Sequence, residues 1–389
     1  MRERYMGVMR VLIQVLFLLT VINGKTTSAS ASVSISSSNS QEEEGLKGHF
    51  IFGDSHVDSG NNNYLVSTSK ANLPPNGIDF KASGGWPTGR FTNGRTFTDI
   101  IGEELGQPNY APPFLAPSTI GEKILNGVNY ASGAGGILNH TGSLFVNRLG
   151  MDIQIDYFNT TRKQLDELLG KARAKEYMTK KTMLSIVIGS NDILNNYLLP
   201  GISTAQMILQ PPDQFLQQLI SHFRAQLMRL YSLDARKFVV TNIGPLGCIP
   251  YQRTLNQMSE SECVSLPNDL AMQYNALLKN LLEELNYDLP QAKFLYANLY
   301  DVLMELIKNH QQYGFDTASV ACCGIGGKYA GFIPCGPTSP MCWDHSKYIF
   351  WDPYHPTEAT NLIISQNFLD GQLHHISPSN IRQLINNFS

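Results

Sequence analysis

Ser55 stands directly behind Gly53-Asp54 at the end of the apolar run His49-Phe50-Ile51-Phe52, a place where a small residue lets the chain turn sharply and present a hydroxyl. A serine hydroxyl alone is a weak nucleophile. It needs a base within hydrogen-bond reach, and that base needs a third group to hold its tautomer and stabilise the imidazolium that forms. Asp352-Pro353-Tyr354-His355-Pro356 supplies both from one short stretch, with two prolines limiting its backbone freedom. The chemistry these residues could perform together is acyl transfer through a covalent acyl-serine, and that chemistry also requires donors aimed at the developing oxyanion. Three candidates present themselves: the Ser55 amide, the Gly133 amide in Ser132-Gly133-Ala134-Gly135-Gly136, where a missing side chain would let a substrate approach, and the carboxamide of Asn191 in Gly189-Ser190-Asn191-Asp192. Each of these has an ordinary structural reading, as a turn glycine, a helix N-cap or a loop aspartate. Their weight lies in the combination, because all of them follow strand-like runs. The order Ser, Asp, His suits an α/β hydrolytic architecture, although no G-x-S-x-G elbow is present.

The elements that must position these groups alternate along the chain. Five β-rich runs, His49 to Phe52, Val128 to Ala131, Met183 to Ile188, Lys237 to Thr241 and Lys293 to Ala297, are separated by segments of helical period. The clearest helix carries Phe215, Leu219, Phe223, Leu227 and Leu230 on one face, and a second carries Leu270, Leu277, Leu281 and Leu285. Such stripes cover a sheet and are assigned no chemistry. A further helix is expected from Thr357 to Leu369, with Pro356 able to start it. The pattern predicts a mostly parallel five-stranded sheet wrapped by helices, whose functional groups gather outside the carboxyl ends of the strands.

The 389-residue chain suits one large α/β domain, and its net charge of −3 gives no footprint for nucleic acid. Residues 1–25 read as a secretory signal peptide: Arg2, Arg4 and Arg10 precede an apolar run from Val11 to Ile22 that is shorter than the roughly 20 residues a membrane span needs, with cleavage expected between 24 and 31. After its removal no integral membrane span is expected. Residues 26–47, rich in serine and then glutamate, read as a disordered leader, residues 48–376 as the folded domain and 377–389 as a C-terminal tail. Six cysteines, Cys248, Cys263, Cys322, Cys323, Cys335 and Cys342, favour short-range disulfides in an exported chain, with a zinc site built from the last four and His345 as the rival. Asn139, Asn159 and Asn387 head N-x-[ST] sequons and are the expected glycosylation sites.

Taken together, Phe52-Gly53-Asp54-Ser55-His56-Val57-Asp58-Ser59-Gly60-Asn61-Asn62, Gly89-Arg90-Phe91-Thr92-Asn93-Gly94-Arg95, Gly127-Val128-Asn129-Tyr130-Ala131-Ser132-Gly133, Gly189-Ser190-Asn191-Asp192 and Phe350-Trp351-Asp352-Pro353-Tyr354-His355-Pro356-Thr357 resemble the plant GDSL esterase/lipase family, within the wider SGNH hydrolases. The likeness covers nearly everything from Gly48 to Phe368. It implies a flavodoxin-like three-layer sandwich in which Ser55, Gly133, Asn191 and His355 carry the four family letters and Asp352 is the acid. It also implies a hydrolase of carboxylic esters that requires no metal or organic cofactor, acts on a small-molecule or polymeric ester, and works outside the cell, in the apoplast or cell wall. A carbohydrate acetylesterase, an acyltransferase and a non-catalytic binding protein are the alternatives on the same fold, and neither the ester nor the oligomeric state is legible. One departure is His56, where the name-giving motif has leucine; a solvent-facing structural role is expected for it. The loop Asp58 to Asn63 is expected to shape the site entrance. Arg90 and Arg95 lack the frame of a phosphate cradle.

Overall fold

A computed structural model describes residues 45–387 except residue 202; the expected signal peptide and nearly all of the leader lie outside the described residues. Its centre is a five-stranded sheet made from β1 (Gly48–Gly53), β2 (Thr182–Val187), β3 (Lys237–Thr241), β4 (Lys293–Ala297) and a short strand near the C-terminus, Ile376–Ser377. The first four run parallel in that order, and the last pairs antiparallel with β4 through Tyr296 and Ala297. Every residue of β1, β2 and β3 is buried, as expected for parallel strands covered on both faces by helices.

The sheet corrects the sequence reading in its membership. Val128 to Ala131 lies along the outer edge of β1 and is bonded there at Ile51, with Ser132 just beyond it donating to the Gly53 carbonyl, but it forms an isolated bridge centred on Asn129 and no strand. Its own polar groups explain this. The Asn129 side chain donates to the Val57 carbonyl at 2.7 Å and accepts from the Ala131 amide at 2.9 Å, so the segment is tied to loops as much as to the sheet edge. The fifth place belongs to Ile376–Ser377. The expected tail therefore folds onto the domain, and a helix over Ile381–Asn387 buries Ile381, Leu384 and Ile385, an apolar spacing that the tail reading passed over. At the other end, Leu46 is already buried.

Helix α1 (Phe97–Glu104) starts at a capping box made by Thr96 and Asp99. The α2 helix (Met151–Leu169) packs Phe158 against Phe50 and Phe52 of β1, with ring centroids 5.4 and 5.5 Å away. In α3 (Pro212–Ser232) the stripe of Phe215, Leu219, Phe223, Leu227 and Leu230 is buried throughout. In α4 (Ser265–Asp288) Leu270, Leu281 and Leu285 are buried while Leu277 is only half-buried. The helix expected at residue 357 is α5 (Glu358–Asp370), and its N-cap is Thr357, whose hydroxyl accepts from the Thr360 amide. A second, two-stranded parallel sheet joins β5 (Thr317–Ala321) to β6 (Tyr348–Phe350). Beside it sit two of the three disulfides, Cys322–Cys342 and Cys323–Cys335; the third is Cys248–Cys263. With all six sulfurs so engaged, the rival zinc site is ruled out.

One buried group gives the fold a pH signature. His49 Nε2 lies 2.7 Å from Ser185 Oγ, and burial pushes the imidazole pKa down to about 4 despite the nearby charge of Asp99. Below pH of about 6.5 the unfolded chain binds a proton that the folded chain refuses, so His49 lowers stability as pH falls from there toward 4. The slope approaches about 1.4 kcal/mol per pH unit, roughly 3 kcal/mol in all. Asp58 and Asp192, which burial raises to about 6, act in the opposite sense over part of that window. The His49 share is therefore read as a difference. Denaturation of wild type and His49→Gln at pH 7 and about pH 4.5 should show the variant gaining relative stability at the lower pH, and parallel curves would refute the assignment.

Candidate active site

Gly53 ends β1 in a conformation open chiefly to glycine, with φ of +152° and a carbonyl oxygen of Val187 that a Cβ would meet at 2.3 Å. Its peptide is clamped from α2 by Gln154, which accepts from the Gly53 amide at 2.9 Å and donates to its carbonyl at 2.8 Å. The chain then enters a single helical turn in which Val57 and Asp58 donate to the Asp54 carbonyl. Ser55 opens that turn, so its own amide has no intrahelical acceptor and stays unbonded among the described residues.

The histidine arrives from the far end of the chain on a tight loop. After β6, Trp351 donates its amide to the His355 carbonyl at 2.8 Å, and the buried indole Nε1 donates to Asn76 Oδ1 at 2.9 Å. Within the loop Asp352 Oδ1 accepts the amides of Tyr354 and His355, each at 2.8 Å. The same carboxylate contacts His355 Nδ1 from both oxygens, at 2.8 and 2.9 Å. On its other side His355 Nε2 stands 2.7 Å from Ser55 Oγ. Phe91 closes over the imidazole with ring centroids 5.1 Å apart. All three line the cleft, Asp352 and His355 as buried side chains of its wall and Ser55 as the half-buried, more accessible one. This arrangement can deprotonate a serine hydroxyl as it attacks an acyl carbon.

Asn191 follows β2 and also faces the cleft. Its Nδ2 donates to the Gly135 carbonyl at 2.9 Å and its Oδ1 accepts from Asn195 at 2.6 Å, which fixes the amide orientation and leaves one N–H free. The structure does not bring Gly133 to the same task. The Gly133 amide is spent on Asp58 Oδ2 at 3.0 Å, and its missing side chain makes room for packing, since a Cβ would fall 2.6 Å from Phe91 and 2.7 Å from Ser69 Oγ. The residue lining the cleft there is Ala134, in the left-handed region with φ of +67°, and its amide has no acceptor among the described residues. Nothing in a single sequence separates neighbouring amides of one glycine-rich loop.

Two more expectations need correction. His56 is half-buried at the cleft wall and not on the open surface. Its Nδ1 lies 3.1 Å from Asp54 Oδ1, and its ring meets that of His355 at 5.5 Å. Burial acts to lower its pKa, but the hydrogen bond and charge of Asp54, with the charge of Asp352, outweigh it and raise the value. The loop Asp58 to Asn63 does not line the entrance so much as build the wall behind it. Asn61 Nδ2 donates to the carbonyls of Asn129 and Ala131, and Asn62 Nδ2 to those of Ser69 and Gly133. Arg90 is buried in a two-point pair with Asp99, and Arg95 pairs with Glu358 and Glu103, so both are structural.

These groups open into a cleft whose walls are largely apolar, among them Phe145, Leu194, Leu246, Ile249 and Leu303. Among the described residues no group of histidine, cysteine and carboxylate side chains is arranged to hold a metal ion. A mostly parallel sheet with helices on both sides, and a serine, histidine and aspartate brought together at its edge, define the class as an α/β sandwich with the groups a hydrolase could use. The chain belongs to the GDSL-like lipase/acylhydrolase family, whose model matches residues 50–368. It is 63% identical over 340 residues to the Arabidopsis thaliana GDSL esterase/lipase At2g23540, covering 87% of this chain and 88% of that one. To At3g50400 of the same plant the identity is 59%, covering 88% and 92%, and to At4g16230 it is 50%, covering 88% and 91%. These relatives identify it as a carboxylic ester hydrolase. A solved gut microbial diltiazem-metabolizing enzyme aligns with 84% of this chain and 47% of its own at a TM-score of 0.36 and 12% identity, too distant to inform fold or chemistry.

Proposed function

We propose that the protein is an exported esterase that cleaves acyl esters through an acyl-Ser55 intermediate. The observation that carries this reading is the unbroken contact from Ser55 Oγ through His355 to Asp352, with 2.7 Å on one side of the imidazole and 2.8 Å on the other. His355 takes the hydroxyl proton as Ser55 attacks, returns it to the leaving alcohol, and then activates the water that hydrolyses the acyl-enzyme. The oxyanion is met by the Ser55 amide, the free N–H of Asn191 and, in place of Gly133, the amide of Ala134. The apolar cleft suits an acyl chain better than an acetylated polysaccharide.

Export is supported by the basic and apolar N-terminus, which lies outside the described residues, and by three disulfides. Of the sequon asparagines, Asn139 and Asn387 are exposed and Asn159 is half-buried on α2; Ser389 of the last sequon lies outside the described residues.

A fluorophosphonate probe tests the nucleophile, with labelling expected for wild type and none for Ser55→Ala; equal labelling of both would defeat the assignment. Turnover of p-nitrophenyl acetate, long-chain p-nitrophenyl esters and acetylated xylan tests the substrate class. Asn191→Ala should lower kcat by roughly 10²- to 10³-fold with little change in KM, because the lost donor acts on charge that exists only in the transition state. A loss of less than about threefold would remove Asn191 from the oxyanion site.

A further inference from the structure

The charged groups lining the cleft are not all engaged. Apart from the histidines they belong to Asp54, Asp352 and Lys70. Each carboxylate has a partner supplied by the chain, Asp54 in His56 and Asp352 in His355. Lys70 has neither an ion-pair nor a hydrogen-bond partner among the described residues. It is half-buried, which sets it apart from a lysine waving in solvent.

The backbone beneath Lys70 is held in place beside the reaction centre. Asn62 Nδ2 bridges the carbonyls of Ser69 and Gly133, at 2.7 and 2.9 Å, so the strap that carries Lys70 is pinned to the loop that carries Ala134. Upstream, Ser67 bridges to Val146, and the Thr68 amide donates to the Phe145 carbonyl at 3.2 Å. A fixed stem therefore sets Lys70, the one charged lining residue with no ion-pair or hydrogen-bond partner among the described residues, at the wall of a largely apolar cleft. In such surroundings a cation is worth far more to a matching anion than it would be in water.

We propose that Lys70 is a specificity residue that recognises an anionic group, a carboxylate or a phosphate, carried by the ester substrate. The proposal rests on the hydrolase reading above and adds to it the chemistry of the substrate's second functional group. An ammonium acts as a point charge and accepts either anion, and its flexible stem serves an anion set at some distance from the scissile bond.

The test uses two pairs of esters whose members differ by one anionic group. For the acyl side, p-nitrophenyl hemiglutarate is compared with p-nitrophenyl pentanoate. For the alcohol side, 1-butyrylglycerol 3-phosphate is compared with 1-butyrylglycerol. In one pair wild type should favour the anionic member by about tenfold or more in kcat/KM. That preference should fall to near unity in Lys70→Met, return in Lys70→Arg and invert in Lys70→Glu. The pair in which it occurs tells which half of the ester carries the anion. Wild type that handles both members of both pairs within about twofold, or a preference that survives in Lys70→Met, overturns the role of Lys70 while leaving the hydrolase intact. Failure of wild type to turn over any of the four esters counts against the hydrolase itself, and this proposal goes with it.

Discussion

Ser55→Ala will lower kcat by roughly 10⁶-fold, and His355→Ala by a similar factor, because each removes the same step. The hydroxyl and the imidazole sit 2.7 Å apart and neither has a substitute within the loop that holds it. His56 is the nearest other imidazole, but it is committed to Asp54, and the ring that faces the hydroxyl is that of His355. The double variant should be no slower than either single one, since what survives is the contribution of substrate binding and oxyanion donors alone. Single-turnover measurements with an activated ester, corrected by active-site titration for traces of wild type, would check this. A Ser55→Ala enzyme retaining more than about a hundredth of wild-type turnover would place the nucleophile elsewhere.

Asp352→Asn should cost roughly 10⁴-fold in kcat with the fold preserved. The carboxylate reaches Nδ1 from both oxygens, at 2.8 and 2.9 Å, which requires Nδ1 to carry the proton and leaves Nε2 unprotonated toward Ser55. A carboxamide still offers an oxygen to the amides of Tyr354 and His355, so the loop closes as before. If its NH₂ turns to Nδ1, the imidazole adopts the opposite tautomer, and Nε2 meets the serine as a donor when a base is needed. Steady-state kinetics beside near-ultraviolet circular dichroism separate this from misfolding. Activity within about tenfold of wild type would mean that another group orients His355.

The serine, histidine and aspartate that the structure brings together were legible in the sequence because each stands in a local pattern with a chemical reason behind it. A hydroxyl behind a glycine at a strand end, and an aspartate three residues before a histidine between prolines, are local patterns. So were the helix stripes, whose period follows from burial on one face. What could not be read depends on which of several equivalent backbone groups is already engaged. Gly133 and Ala134 are neighbours, and only the carboxylate of Asp58, 75 positions away, decides that the first amide is spent. The edge strand Ile376–Ser377 was missed for a related reason. Two residues carry no period, and their pairing is set by the exposed side of β4. His56 was misplaced because its partner is Asp54, a residue whose own role is invisible without coordinates.

The contact between Ser55 and His355 spans 300 positions of the chain. During synthesis the serine emerges long before anything exists to activate it, and it remains an ordinary alcohol until the final helix-capped loop has docked. If Ser55 and His355 act as proposed, a copy that stops before His355 is expected to be inert toward the esters around it. On the proposed mechanism, reactivity doubles as a report that the chain has been made at least as far as His355 and folded.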